Sequence, residues 1–212
     1  MTSYFLTIDN GGTNTKVAIF DDQGKQIAVS AFPTKNRERQ AGFHEANLAD
    51  LWQALGTASR DALQRANLTG DQISGVTTVG HGKGLYVLDR QHHIFMDGIL
   101  SADSRAEKYA INFEKRIHDI YAISHQHVMA SQAPVLLRWL KDHEPENYRQ
   151  IGAVLSNKDF IRFLLTGEVC QEVGDASGNH LLNLETADYD PQILAFFGIP
   201  EMANNLPQLI QA

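Results

Sequence analysis

The strongest constraint on the fold is a glycine-rich turn between two short apolar runs at the start of the chain. Residues 4–9 lead into this turn, and further β-rich runs occupy residues 16–20 and 25–32, with a second turn at residues 21–24. Short β-rich runs bounded by Gly, Asn and Asp are typical of strands joined by tight turns. The chain is therefore predicted to open with a three-stranded antiparallel meander.

A long amphipathic helix is predicted after the meander. From Asn47 to Ala66, apolar side chains recur at spacings of three and four residues, and Asn47 is placed to cap the first turn. Trp52 lies on the apolar face of this helix, and Trp139 lies on that of a later one. Both tryptophans are therefore expected in the core.

The rest of the chain alternates strand and helix patterns. We predict a buried strand at residues 73–79 and a strand pair at 85–88 and 94–100 around a turn at 89–93. Helices are predicted at residues 104–119, 133–143, 159–165 and 191–197, with a strand near 153–155. Residues 34–42 resemble a linker, and no obvious element closes the tail from residue 188. This order predicts an α/β domain with a mixed sheet flanked by helices.

Composition excludes several classes of protein and of partner. The 212 residues are 43% hydrophobic, with 16 glycines and 6 prolines, which is typical of a globular chain and not of a disordered or collagen-like one. The formal charge of -7 disfavours nucleic acid and anionic membranes as partners. Composition leaves a homodimer open.

The cysteine and histidine content predicts a reducing setting and no metal centre. Cys170 is the single cysteine, so no internal disulfide can form. The apolar run at the N-terminus is interrupted by Asp9 and Asn10, which is not typical of a signal peptide. A cytoplasmic location is therefore expected. The histidine pairs at 92–93 and 125–127 lack a second pair at ligand spacing and are expected at the surface.

The first turn carries residues that suit phosphate binding. It reads Asp9-Asn10-Gly11-Gly12-Thr13-Asn14-Thr15-Lys16. Gly11 and Gly12 let the backbone approach a phosphate, Thr13 and Thr15 offer hydroxyls, and Lys16 adds positive charge. The Asp9 carboxylate can hold Mg²⁺ through water. The alternative is a plain hairpin that needs positive φ at its glycines.

The hairpin resembles the first phosphate loop of the actin, heat-shock-chaperone and sugar-kinase superfamily. Further motifs follow in order: Gly-Phe-His-Glu at residues 42–45, Gly-His-Gly-Lys-Gly-Leu at 80–85, Ile-Leu-Ser-Ala-Asp-Ser-Arg at 99–105, and Lys-Asp-Phe-Ile-Arg-Phe-Leu-Leu-Thr-Gly at 158–167. Together they resemble the N-terminal domain of FGGY-type carbohydrate kinases. Within that family, the segments at 82–105 and 136–146 are most similar to the L-xylulokinase group.

The resemblance implies an actin-like (ribonuclease H-like) ATPase fold over residues 1–212. It also implies that ATP and Mg²⁺ are used to phosphorylate a ketose or polyol such as L-xylulose. Members of the family are about twice this length, so the chain is expected to be the sugar-binding side alone, without the C-terminal nucleotide-binding domain. The general-base Asp is expected beyond Ala212, and no catalytic residue is assigned within the chain.

The resemblance also places substrate contacts in the loop after residue 80. Lys83 stands among glycines there, and His81 is a weaker candidate in the same loop. Asp103 and Arg105 follow a strand end and can accept and donate several hydrogen bonds to polyol hydroxyls. The alternatives are a solvated lysine at 83, and a capping Asp with a surface Arg at 103 and 105.

Two further substrate candidates are Gln132 and Asp175. Gln132 precedes a helix where the family has a substrate-side loop, and Asp175 lies in a segment that resembles a family loop near the cleft. Asp159 is expected to cap its helix.

Two other functions stay open from the sequence. One is a non-catalytic, actin-like module that binds nucleotide or sugar. The other is a kinase for erythritol, D-xylulose or ribulose, between which and L-xylulose the sequence does not decide.

Overall fold

The computed structural model describes residues 2–211, so Met1 and Ala212, the two ends of the predicted domain, lie outside the described residues. The strands are β1 Tyr4–Asn10, β2 Asn14–Asp21, β3 Gln26–Pro33, β4 Asn36–Glu38, β5 His44–Ala46, β6 Ile73–Gly80, β7 Tyr86–Asp89, β8 Gly98–Ile99, β9 Ile151–Leu155, β10 Cys170–Glu172, β11 Leu182–Asn183, β12 Asp188–Tyr189 and β13 Gln208–Ile210. The α-helices are α1 Leu48–Ala66, α2 Glu107–Glu114, α3 Tyr121–Ser124, α4 Ala133–His143, α5 Pro145–Gln150, α6 Asn157–Thr166, α7 Val173–Gly178 and α8 Pro191–Phe196.

The antiparallel meander predicted from the sequence is confirmed. β1 pairs with β2 and β2 with β3, and the strand β6 adds in parallel to β1, which gives the order β3-β2-β1-β6. Alternate residues of β1 and β2, such as Ile8 and Val17, lie on the buried face. Helix α1 packs on the sheet, and its N-cap forms as expected because Asn47 Oδ1 accepts a hydrogen bond from the Asp50 amide at 3.0 Å.

The prediction that residues 73–79 form a buried strand is wrong. β6 is an edge strand whose second edge has no partner within residues 2–211, and Val76 and Val79 are each 53% exposed. An apolar β-branched run is typical of a buried strand, but it does not reveal whether strands cover both of its edges. The carboxyl ends of β1 and β6 lie side by side, with Asn10 opposite Gly80.

The predicted strand pair at 85–88 and 94–100 forms only in part: its turn is present, and one antiparallel bridge joins Leu85 to Ile99 through backbone hydrogen bonds of 2.8 and 2.9 Å. The Asp89 amide donates to the His93 carbonyl at 2.9 Å, but β7 pairs with β9 and β8 pairs with β5. The expected linker at 34–42 contains β4, which pairs with β5. β7 and β8 have partners far away in sequence, which local patterning cannot identify.

The predicted helices match the structure to different degrees. Helix α4 has the predicted bounds, whereas the helix predicted at 104–119 is shortened to α2 and followed by a 3₁₀ turn at 117–119. At the end of the chain, a 3₁₀ segment at 200–205 leads into β13, which pairs in parallel with β10. The tail therefore contains a paired strand, β13, which the sequence pattern did not indicate.

The β7–β9 ribbon separates two hydrophobic clusters. Tyr86 and Leu88 face the cluster beneath the meander and α1, whereas Val87 faces the cluster around α4. Trp139 is buried in the second cluster as predicted. Trp52 is 44% exposed, because Leu48, Leu51 and Leu55 already fill the face of α1 that meets the sheet, so its predicted core position is wrong.

Candidate functional site

The glycine-rich turn joins β1 to β2 at the carboxyl end of β1. The Gly11 amide donates to the Asn14 carbonyl at 2.9 Å, and the Thr34 amide donates to the Thr13 carbonyl at 2.9 Å. Neither glycine has a positive φ, and a Cβ added at Gly12 would meet nothing within 4 Å. The positive φ that the plain-hairpin alternative needs is therefore absent, and neither backbone strain nor packing requires these glycines. What the glycines provide is open space beside the backbone.

The polar side chains of this turn divide into an exposed set and a buried one. Asp9, Thr13 and Lys16 are exposed, and Asp9 lies directly opposite Lys16 across the two strands. Within residues 2–211, neither of these two charged groups forms an ion pair. Both side chains are therefore open to a ligand.

Thr15 lies beneath the turn instead of on its surface. Its side chain is fully buried, and its Oγ1 accepts a hydrogen bond from Asn10 Nδ2 at 2.7 Å and lies 3.3 Å from Thr34 Oγ1. Direct contact of Thr15 with a phosphate is contradicted by this burial. The residue stabilises the turn from inside.

The loop after β6 carries His81 and Lys83. Lys83 adopts a left-handed φ of 64°, and its side chain is half-buried. The His81 Nε2 lies 2.9 Å from the Tyr86 hydroxyl, while its buried Nδ1 has no hydrogen-bond partner among residues 2–211. Burial lowers the pKa of His81 below its ordinary value, although the nearby Asp175 carboxylate opposes the shift. A neutral imidazole with one unbonded nitrogen can form a hydrogen bond to a hydroxyl group.

The start of α6 adds a charged cluster to the same region. Lys158 Nζ lies 3.1 Å from Glu172 and 3.4 Å from Asp175, and the Ser156 hydroxyl lies within 2.9 Å of both Asp159 and Asp175. Partial burial alone lowers the pKa of Lys158, but the attraction of the three carboxylates outweighs it and raises that pKa. Asp175 is thus a partner of Lys158 near the His81 loop.

Asp159 does not cap its helix as expected. Its Oδ2 accepts hydrogen bonds from the Glu172 amide at 3.0 Å and the Ser156 hydroxyl at 2.7 Å, and so ties α6 to β10. Neither partner is one of the free amides at the start of α6.

Asp103 and Arg105 form a buried ion pair apart from the exposed groups of the turn, and Arg105 Nη1 has no hydrogen-bond partner within residues 2–211. Arg105 donates from Nε and Nη2 to the two Asp103 oxygens at 2.9 Å each, and from Nη2 to Glu45 at 2.7 Å. Both side chains have no exposed surface, and the guanidinium lies over the rings of Phe43 and Trp139. The alternative of a surface arginine is wrong.

Gln132 is also internal, which contradicts its prediction as a substrate contact. It is 1% exposed, and its Oε1 accepts from the Met129 amide at 2.9 Å and lies 3.3 Å from His180 Nδ1. The fully buried His180 places its Nε2 2.8 Å from the Ser124 hydroxyl, and burial lowers its pKa to about 4. This network stabilises the loop before α4.

The structure therefore brings together only part of the predicted site. The glycine-rich turn, Asp9, Lys16, the His81 loop and Asp175 gather at the carboxyl ends of β1 and β6, since Asn157 at the start of α6 bonds to Asn10 in β1. Sequence reasoning missed Asn10, Asn157 and Lys158. The available signals were the place of Asn10 in the glycine-rich turn, that of Lys158 in the motif at 158–167, and Ser156, which precedes an apolar run and marks a helix start.

The four histidines considered for metal binding are exposed, as expected. Residues 2–211 contain no group of three or more His, Cys, Asp or Glu side chains arranged to hold a metal ion. Within the same residues, no helix combines the length and apolar character needed to cross a bilayer.

The fold is that of sugar kinases of known structure. A gluconate kinase from Lactobacillus acidophilus superposes with a TM-score of 0.90 at 23% identity, over 100% of this chain and 42% of its own. A ligand-bound xylulose kinase from the same organism superposes with a TM-score of 0.89 at 24% identity, over 99% of this chain and 42% of its own. Both identities are below 25%, so these likenesses establish the fold alone.

Sequence similarity establishes the family. The model of the FGGY family of carbohydrate kinases, N-terminal domain, matches residues 4–212. The chain belongs to this family. A probable L-xylulose kinase from Pasteurella multocida is 33% identical over 99% of this chain and 44% of its own length. An L-xylulose/3-keto-L-gulonate kinase from Escherichia coli is 34% identical over 99% and 43%, respectively. The chain thus spans less than half the length of these relatives.

Proposed function

We propose that this chain supplies the sugar-binding side and first phosphate loop of an ATP-dependent kinase for a ketose or polyol resembling L-xylulose. The observation that carries the proposal is the meeting of the glycine-rich turn and the His81 loop at adjacent strand ends. Ligands of open α/β sheets bind outside the carboxyl ends of the strands. The names of the two relatives favour L-xylulose over D-xylulose, ribulose and erythritol.

The exposed polar groups of the turn suit a transferring phosphate. The Gly11 and Gly12 backbone and the Thr13 hydroxyl border the open space, and the Lys16 ammonium adds positive charge beside them. Such groups lower the barrier to phosphoryl transfer mainly by positioning the phosphate and neutralising its charge.

The residues present fit Mg²⁺ held largely by water and phosphate oxygens. Asp9 offers one exposed carboxylate, and Mg²⁺ commonly binds through one or two carboxylates plus substrate phosphates while keeping several waters. Mg²⁺ at this position would neutralise charge on the phosphates.

A cytoplasmic location, expected from the single cysteine, belongs to the same proposal.

Sugar orientation is assigned to the loop after β6. The His81 Nδ1 can bond a hydroxyl, the Lys83 ammonium can reach over the sugar, and Asp175 lies near His81. The general base and most of the nucleotide site are expected outside residues 1–212. We therefore expect the isolated chain to bind sugar but not to phosphorylate it.

Calorimetric titration of the purified chain with L-xylulose, D-xylulose, ribulose and erythritol tests this proposal. We expect the tightest binding for L-xylulose, with affinity reduced about tenfold by Lys83→Ala and unchanged by Lys25→Ala, an exposed turn lysine. Failure to bind any of the four sugars would contradict the proposal. Sugar-dependent ADP release by the isolated chain would contradict the assignment of the base to another region.

A further inference from the structure

A buried chain of hydrogen bonds runs between the glycine-rich turn and α6. Asn10, the last residue of β1, is 2% exposed and donates from Nδ2 to Thr15 Oγ1 at 2.7 Å. Its Oδ1 accepts from Asn157 Nδ2 at 2.9 Å, and Asn157 is fully buried. One amide side chain therefore connects the turn to a helix that lies 147 residues further along the chain.

The backbone of Asn10 also holds the loop that carries Lys83. The His81 amide donates to the Asn10 carbonyl at 3.1 Å, and the Gly84 amide donates to the Ser131 carbonyl at 2.8 Å. The first of these bonds fixes the start of the loop to β1, and the second fixes its end to the segment before α4. Asn10 is thus bonded to both ligand-facing loops, through its side chain to one and through its backbone to the other.

The close approach of Asn157 depends on Gly80. A Cβ at Gly80 would overlap Asn157 Oδ1 and would lie 2.9 Å from the Lys158 backbone nitrogen. Gly80 lies directly opposite Asn10 in the β1–β6 pair. The missing side chain of this strand residue therefore leaves the space that the buried amide occupies.

Buried amides are costly to leave unpaired. When one partner of a buried hydrogen bond is removed, the other is left with neither water nor a protein partner. The cost corresponds to roughly a tenfold to hundredfold change in the equilibrium constant for unfolding. The charged groups nearby, Lys158 and Asp159, bond to other partners. Within residues 2–211, the hydrogen bond to Asn10 is the one formed by the Asn157 side chain, whose Oδ1 is buried without a partner and whose other polar neighbour is the Tyr86 hydroxyl.

We propose that Asn10 and Asn157 are positioning residues that hold the glycine-rich turn and the His81 loop as one rigid unit. The rigid unit sets the distance between the atoms that would bind phosphate and those that would bind sugar. The identity of these ligands rests on the proposed function, but the coupling between the two loops does not. Neither amide is assigned contact with a ligand.

Amide hydrogen exchange on the full 212-residue chain, without ligand, tests the coupling. The reporters are the Gly11 amide in the turn and the His81 amide in the loop, both hydrogen-bonded in the structure. Asn157→Ala should speed exchange at both sites about tenfold or more beyond its effect on global unfolding. Ile161→Val, a fully buried change in the same helix, serves as the control for general destabilisation.

A double-mutant cycle adds a second readout. Asn10→Ala should reproduce the effect of Asn157→Ala at both reporters, and the double variant should show less than the product of the two single effects. Acceleration at one reporter alone would overturn the proposal. The proposal would also be overturned if exchange at both reporters were no faster than in the Ile161→Val control of equal stability. General destabilisation would then explain the result.

Titration of the same variants with L-xylulose separates this proposal from the proposed function. If the unmodified chain binds L-xylulose, Asn157→Ala should weaken its affinity about tenfold, because the Lys83 loop is no longer held in place. If the unmodified chain binds none of the sugars, the proposed function fails while the exchange experiment still decides the coupling.

Discussion

Two pairs of acidic and basic residues have opposite structural environments in this chain. Asp9 and Lys16 face each other across β1 and β2, exposed and without an ion pair among residues 2–211. The side chains of Asp103 and Arg105 are bonded to each other and have no exposed surface. The difference is the surrounding structure: a turn with open space in the first case, and Glu45, Phe43 and Trp139 in the second. The buried pair is held by internal bonds, with Arg105 Nη1 as its one nitrogen that lacks a partner within residues 2–211, whereas the exposed pair has no internal ion pair.

The largest effect should come from breaking the buried pair. Arg105→Ala leaves the Asp103 and Glu45 carboxylates buried without their cation, and we expect the free energy of unfolding to fall by about 3–5 kcal/mol. Urea denaturation measures this change. Arg116→Ala, which removes an exposed ion pair with Asp119, should cost about 1 kcal/mol or less. Equal losses for the two variants would show that burial does not distinguish them.

A pH dependence should come from the second internal network. His180 has a folded pKa of about 4 against an ordinary value of 6.5, so the unfolded state binds a proton that the folded state resists. The free energy of unfolding should therefore fall by about 2 kcal/mol between pH 7 and pH 5. Urea denaturation across this range should show a weaker fall for His180→Gln. An unchanged slope in that variant would assign the effect to other groups, of which Glu114 is the charged neighbour.

The two threonines of the turn offer a smaller contrast. Thr15→Val keeps the shape of the side chain but leaves the Asn10 amide without its acceptor, so the free energy of unfolding should fall by about 1–2 kcal/mol. Thr13→Val changes an exposed hydroxyl and should alter it by less than about 0.5 kcal/mol. Thermal unfolding of both variants measures the difference, and a reversed order would contradict the buried position of Thr15.

The smallest effect on stability is expected at Asp9. Its exposed carboxylate has no ion pair within residues 2–211, so Asp9→Asn should change the free energy of unfolding by less than about 0.5 kcal/mol. Asp103→Asn, which weakens the buried pair, is the matched comparison and should cost several times more. Chemical denaturation at neutral pH decides between them. A large loss for Asp9→Asn would give this residue a structural role instead.

The sequence predicted elements well where the signal was local. The meander, the Asn47 cap and the bounds of α4 follow from residues within one or two turns of each other. The partner of β7 is β9, more than sixty residues away, and no local pattern identifies it. The order of the family motifs was the one long-range signal available, and it indicated the fold correctly.

Among the predicted site residues, Asp9, Thr13 and Lys16 of the turn are exposed, whereas several other polar residues are buried. Asp103, Arg105 and Gln132 have the composition of a sugar site, but their hydrogen bonds are internal. Burial depends on residues brought in from other elements, such as Phe43 over Arg105 and His180 beside Gln132. Such contacts are tertiary, so residue type alone could not separate the two kinds of position.

The open edge of β6 has a practical consequence for handling this chain. A strand edge with free backbone donors and acceptors can recruit a second strand, and the half-exposed Val76 and Val79 make that association more favourable. Concentrated samples should therefore be prone to aggregation through intermolecular β-pairing. A charged substitution such as Val76→Lys should protect against it, with light scattering at increasing protein concentration as the measure.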